Sequence, residues 1–517
     1  MSPFTLKIRA LVEAPGTREF LRWCLPGLLV AIVLRVTLTC HLPWAYYHDD
    51  ARDFLHTPER LLQESKWELN PKKTFLVPIA FTLPFLLPVP AMLTIPALQH
   101  ALGLAIVLLV GLLCRLWCAW WRVFILPLTV LAACNPFLLW FEHTLMAETI
   151  YVFCTLLVAL AGTLYTLKQG RARFLFLCTA LVLEAGARPE GKLLFGFGIL
   201  LVAVLHWGAW RESRVRLAGL VLLAVLTHFS TKTSQAGLLL YTSLARFTPS
   251  DLRSAPGFEP HIAPIRTDLQ QRWAVQPSFP RVRDRRAIAA AAERYLSTRS
   301  ESERKISGGE VDRFCLKVAT ETLRRSLAAL PAHVGHKFRM VANDAPSGSL
   351  DNPWLFDKQR EAILDSDRAL TLSRGLFGWQ MTTRQALNAF VDTHYGEVPW
   401  FNRLQAGWLA VTNAWRLPDA HYVDRLATPP QPFLYRGVPC YFLAAACGVV
   451  AVAFRRQRLQ PFHLVWGLTL LGFFFTIMLT ANVRSRFRFV FEPFWFLYLA
   501  LLIETGLLGF RRIFHRT

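Results

Sequence analysis

A helix that crosses a hydrocarbon layer of roughly 30 Å needs about 17 to 25 apolar residues, because no water is present there to satisfy free backbone groups. Blocks that approach this length fall at 23–42, 99–114, 123–141, 148–167, 173–187, 192–210, 216–233, 434–454, 461–480 and 489–510. The pattern predicts an all-α polytopic membrane protein with about ten transmembrane helices. Trp23–Leu42 is long enough to span and is not followed by a small-residue cleavage site, so it reads as an uncleaved anchor.

One apolar run breaks the rule. "FLVPIAFTLPFLLPVPAMLTIP", 75–96, holds five prolines, each of which removes a helical hydrogen bond. Short interfacial or re-entrant helices are expected here rather than a crossing. Basic clusters, at Arg9 with Arg18 and Arg22, Arg115 with Arg122, 168–173, 211–216, 455–458 and 511–516, then all fall on one side. Lys and Arg in short loops are retained in the cytoplasm. Both termini are thus expected inside, in a multi-pass protein of the cell inner (cytoplasmic) membrane.

Two regions are left facing the periplasmic or extracellular side. One is the first outer loop, 43–98, within an N-terminal transmembrane module 1–235. The other is an exoplasmic domain, 236–433, ahead of a C-terminal transmembrane module, 434–517. "RAIAAAAERYL" (286–296) and "EVDRFCLKVATETLRRSLAAL" (310–330) repeat apolar residues every three and four positions, so this insertion reads as α-rich.

Composition agrees: 53% of residues are hydrophobic and 18% charged, with a mean hydropathy of +0.33. The net charge of +22 could suggest nucleic acid, but the cytoplasmic loops already account for much of it, and a nucleic-acid partner is not expected. "RVRDRR" (281–286) reads as a solvated helix start. Of ten cysteines only Cys315 lies away from the apolar spans, which argues against a disulfide framework outside. Cys114 and Cys118 in "CRLWC" lack zinc-knuckle spacing.

Candidate chemistry begins just beyond the first span, in "YYHDDARDF" (46–54), where His48 precedes Asp49 and Asp50. Three further polar groups interrupt apolar surroundings on the same side: Glu148, Arg188 with Glu190 in "ARPEGK", and Arg484, Arg486 and Arg488 ahead of Glu492. Each would cost about 2.5–3.5 kcal/mol near mid-bilayer and less at the rim, so such groups face a cavity or pair with one another. Singly each has an ordinary reading, such as an arginine snorkelling to the interface. Together they could build a cavity with a base and an anion site. Arg35, inside the first span, requires an internal partner.

In their order, "HDD", "NPKKTFLVP", "NPFLLWFEHTLMAETIYVF", "ARPEG" and "RSRFRFVFEPFWFLYLALL" resemble bacterial membrane glycosyltransferases of the GT-C class, most nearly the branch of protein O-mannosyltransferases and aminoarabinose transferases. The resemblance covers 1–235 and 434–517 and leaves the outer domain unidentified. It implies a GT-C-like bundle, a polyprenyl-phosphate sugar as donor, and transfer to a glycan, lipid or protein acceptor at the outer face. It also implies an acid from the first outer loop, Asp49 or Asp50, near the acceptor and the anomeric carbon. The chain departs from the pattern after its loop lysine, where relatives are Gly-rich and this sequence reads "KKTFLVP".

The chemistry asks for the same groups. An acceptor hydroxyl needs a base to take its proton, and a departing lipid phosphate needs fixed cations. Asp50 is assigned as the base with Asp49 as the near alternative, and His48 orients one of them. Arg484, Arg486 and Arg488 are candidates for the phosphate, whose oxygens fit the guanidinium fork, with Lys72 or Lys73 as a second cation. Glu148 and Glu190 are expected to hold Arg188, with sugar contact as the alternative. No metal site is expected, although Asp49 and Asp50 could hold Mg²⁺ or Mn²⁺ completed by phosphate. The rival readings are a non-catalytic scaffold for envelope glycan assembly and a lipid-linked sugar transporter.

Overall fold

This computed structural model describes residues 15–47, 51–70, 73–207, 210–229, 236–275, 282–299, 306–327, 363–364, 367–395, 398–401, 403–404, 408, 440–453, 459–480 and 491–514. Among them the chain is helical nearly throughout, and a single parallel bridge, Tyr46 to Thr144, stands in place of a sheet. The first long helix, α1 (Pro15–His41), leads into the short α2 (Ala51–Phe54) and α3 (His56–Glu64) and then α4 (Leu76–Thr82), which runs on as a 3₁₀ turn over Leu83–Leu86. The bundle continues with α5 (Ala91–Trp117), α6 (Trp121–Ala133), α7 (Pro136–Glu142), α8 (Glu148–Leu167), α9 (Arg171–Ala187), α10 (Leu194–Leu205) and α11 (Trp210–Phe229). α1, α5 and α6 pack on one another, α8 joins α5 to α9, and α10 lies on α11.

Among the described residues, three helices are long and apolar enough to cross a membrane: Gly16–His41, Ala91–Trp117 and Glu148–Leu167. A fourth crossing is made if α6 and α7, bent by 49°, count as one. The other expected spans are shorter or do not reach this measure over the described residues, so an all-helical bundle is present while ten crossings are not established.

The break in the expected span 123–141 has a local cause. Asn135 turns out of the helix (φ −64°, ψ 110°), and its side chain accepts from the backbone N–H groups of Phe137 and Leu138. Pro136, at the first position of α7, has no N–H to lose. Hydropathy does not register this cap because every neighbour is apolar.

The Pro-rich run resolves into two pieces. α4 and its 3₁₀ turn are too short to cross, and Leu83, Leu86 and Leu87 are more than half exposed. Pro96 falls inside α5, which therefore begins eight residues earlier than the expected 99. A proline there cannot bond the carbonyl four residues back. That carbonyl, of Met92, instead accepts the N–H of Ala45 at 2.9 Å, so the interruption in α5 ties down the loop that follows α1.

The insertion is α-rich as expected, but its residues enter two cores. α12 (Ala236–Leu244), α13 (Glu259–Val275), α14 (Val282–Ser297) and α15 (Gly308–Arg325) enclose their own, with Tyr241, Phe258, Ile262, Ile288, Tyr295 and Val318 buried. Ser307 and Glu310 close a reciprocal cap on α15, satisfying two otherwise free N–H groups. α16 (Asp367–Thr371), α17 (Ser373–Phe377) and α18 (Arg384–His394) instead join the bundle's core through Leu372, Phe377, Leu387 and Val391. The chain closes with α19 (Cys440–Ala453), α20 (Gln460–Thr480) and α21 (Glu492–Phe514); α19 packs on α21, and α20 on α10 and α12.

Candidate active site

His48, Asp49, Asp50, Lys72, Arg484, Arg486 and Arg488 lie outside the described residues; Lys73, Glu148, Arg188 and Glu190 lie within them. The site is therefore built from the flanks of the acidic stretch and from the polar groups at the same end of the bundle, where α1 and α9 end and α5, α8 and α21 begin.

The entry to the acidic stretch is held from several directions. Besides the Ala45 to Met92 bond, Tyr46 donates its N–H to the His143 carbonyl at 2.8 Å and accepts from Leu145 N–H at 2.9 Å. The Tyr395 hydroxyl donates to the Ala45 carbonyl at 2.7 Å. Trp44 sits among Phe377, Trp379, Phe390 and His394, with centroids 5.2–6.2 Å away. Tyr47 and Ala51, the nearest described neighbours of the acids, are both buried. A loop residue so enclosed has little freedom left to lose.

The exit is clamped by a residue from the insertion. Arg368, on α16, reaches Glu59 at 2.5 Å, the Arg52 carbonyl at 2.6 Å and His56 Nδ1 at 3.2 Å. Lys73 lies 3.7 Å from the Asp53 carboxylate and over the Phe54 ring, 4.4 Å from its centroid. Lys73, one of the two lysines considered as the second cation, is thus paired with Asp53 at the start of the helical segment 51–64.

Arg188 follows α9, and Glu148 opens α8. They pair at 2.8 Å with side chains 14% and 2% exposed, and Glu190 approaches Arg188 at 3.3 Å. The guanidinium also lies over the Tyr151 ring, 5.5 Å from its centroid. These contacts fulfil the expectation that the two glutamates hold Arg188 and the helix ends.

Sequence reasoning missed a further set. Arg35 donates to Glu142 Oε1 at 2.5 Å, which supplies its internal partner. Glu142 Oε2 meets His100 Nδ1 at 2.8 Å, His100 Nε2 meets His143 Nδ1 at 3.2 Å, and His143 Nε2 meets the Trp44 carbonyl at 3.1 Å. Glu142 is completely buried and His143 nearly so. Burial, and then the facing His100, push the His143 imidazole down to about 3, so the ring is neutral. The available signal was "FEH" closing an apolar run, with His100 interrupting another.

Glu492, four residues after Arg488, accepts from the Asn135 side chain at 2.6 Å, which sets the start of α21 against the α6–α7 break. Among the described residues, no group of three or more His, Cys, Asp or Glu side chains is arranged to hold a metal ion.

No family model matches this chain, and no curated protein sequence does. Among solved structures, the crystal structure of ArnT from Cupriavidus metallidurans bound to undecaprenyl phosphate is similar over 94% of this chain and 78% of that one, with a TM-score of 0.33 and 12% identity. A likeness at that level assigns neither a family nor an activity.

Proposed function

We propose that this chain is a membrane glycosyltransferase that moves a sugar from a polyprenyl-phosphate donor to a glycan, lipid or protein acceptor at the outer face of the inner membrane. The observation that carries this reading is the anchoring of both flanks of the acidic stretch, by Met92, His143 and Tyr395 before it and by Arg368 after it. A solvated surface acid needs no such support; a catalytic base does, because misplacement by about 1 Å can cost a hundredfold in rate.

In the reaction, the acceptor hydroxyl attacks the anomeric carbon while Asp50, or Asp49, takes its proton. The bond from that carbon to the phosphate oxygen breaks with inversion, and the lipid phosphate leaves with the electron pair. Arg484, Arg486 and Arg488 receive its charge, with Lys72 or Lys73 as a further cation. His48 orients a carboxylate. Glu148, Arg188 and Glu190 brace the wall beside the sugar.

The test supplies radiolabelled polyprenyl-phosphate sugar to the purified protein in vesicles together with envelope acceptors. Label appearing in acceptor supports the reading. Label that crosses the bilayer uncleaved would establish a transporter instead, and label that does neither would leave a scaffold.

A further inference from the structure

The buried set Arg35, Glu142, His100 and His143 draws on four parts of the chain: α1, α5, the end of α7 and the turn that follows. Its last atom rests on Trp44, four residues ahead of His48. A space is reserved for it in the packing, because a Cβ at Gly103 on α5 would overlap the Glu142 carboxylate. Replacing buried ionic groups of this kind by apolar ones is often neutral or stabilising, so bulk stability is a weak reason for their presence.

The direction of the hydrogen bonds is forced. A carbonyl only accepts, so His143 must carry its proton on Nε2 to donate to Trp44. The Nδ1 of the neutral ring then accepts, and His100 must donate from Nε2. The remaining contact, His100 Nδ1 to Glu142 Oε2, holds one shared proton, and Arg35 fixes the other carboxylate oxygen. The chain of donors thus runs from His100 through His143 to Trp44, and the Arg35–Glu142 pair holds the other nitrogen of His100. The same turn supplies the backbone partners of Tyr46 on both sides, so displacing His143 displaces two attachments together.

We infer that Arg35, Glu142, His100 and His143 form a positioning chain that sets the backbone entering His48–Asp50 and through it the location of the catalytic carboxylate. This rests on the glycosyltransferase reading for its catalytic half; the positional half stands alone.

Two variants of the full-length protein test it. His143→Phe keeps a ring and removes the donor, whereas His143→Gln returns an amide N–H. Turnover of polyprenyl-phosphate sugar should fall roughly ten- to hundredfold in the Phe variant with donor KM little changed, and the Gln variant should recover most of it. In parallel, amide exchange at Ala45 and Tyr46 should quicken by about tenfold in His143→Phe alone, with α8 amides unaffected. Unchanged exchange in His143→Phe, equal damage in Gln and Phe, or lost protection across α8 would each overturn the positioning role. A wild-type protein that transfers no sugar overturns the catalytic half, while the exchange pattern still decides the positional half.

Discussion

Arg188→Met is the perturbation whose size follows most directly from the structure. It deletes the guanidinium 2.8 Å from Glu148 Oε1 and leaves that carboxylate, 2% exposed, without its partner. Removing one member of a buried pair costs about 3–5 kcal/mol, because the remaining charge is uncompensated. Arg188 itself is 14% exposed, so a value near the lower limit, about 3 kcal/mol, is expected. The Glu190 contact is longer and a third exposed, and contributes under about 1 kcal/mol. Glu148→Gln should cost roughly 1–3 kcal/mol. The double variant should fall well short of the sum, since neither charge is left alone. The assay is a double-mutant cycle on reversible unfolding in mixed micelles. Additivity within about 0.5 kcal/mol would show that the two side chains do not share an interaction, and would refute the view that they join α8 to the end of α9.

Other outcomes are open to measurement. Gly103→Ala should lower the unfolding midpoint by an amount equivalent to roughly 1–3 kcal/mol, the usual cost of overpacking; a midpoint equal to the parent's would mean that Glu142 does not lean on α5. In the unit built from α12 to α15, burial opposes ionisation of Glu321, but bonds from Ser254 and Arg253 and the charge of Arg325 outweigh it and lower its carboxyl to about 2. A depressed carboxylate stabilises above its unfolded value and loses that contribution as pH falls from 4.5 toward 2. Amide protection in α15 should decline over that window, and Glu321→Gln should flatten the decline. For topology, a cysteine at exposed Thr320 should react with an impermeant maleimide in intact cells, and one near Arg455 only after permeabilisation; the reverse would invert the expected orientation.

What was legible in the sequence is what local pattern controls. Period and apolar length located α1, α5 and α8, and the amphipathic repeats located α14 and α15. The polar outliers Glu148, Arg188 and Glu190 found one another as expected, since charges in an apolar setting have few alternatives. Two local signals went unused: Asn135 followed by Pro136 is a helix start written inside an apolar run, and Pro96 is early enough in α5 to be tolerated. The Arg35–Glu142 pair, 107 positions apart, and the contact of Arg368 with Glu59, 309 apart, follow from packing, which no periodicity encodes.

The most direct test of the central claim is single-turnover sugar transfer by purified Asp49→Asn, Asp50→Asn and double variants, each with measured donor affinity. Asn preserves size and removes the proton acceptor. A positioned base contributes about 10²–10⁴ in rate, equivalent to roughly 3–5 kcal/mol of transition-state stabilisation. One of the single variants should therefore fall at least about a hundredfold with donor affinity nearly unchanged. Transfer at the parent rate by both single variants and by the double variant would contradict the account, and would make the acidic stretch ordinary surface charge.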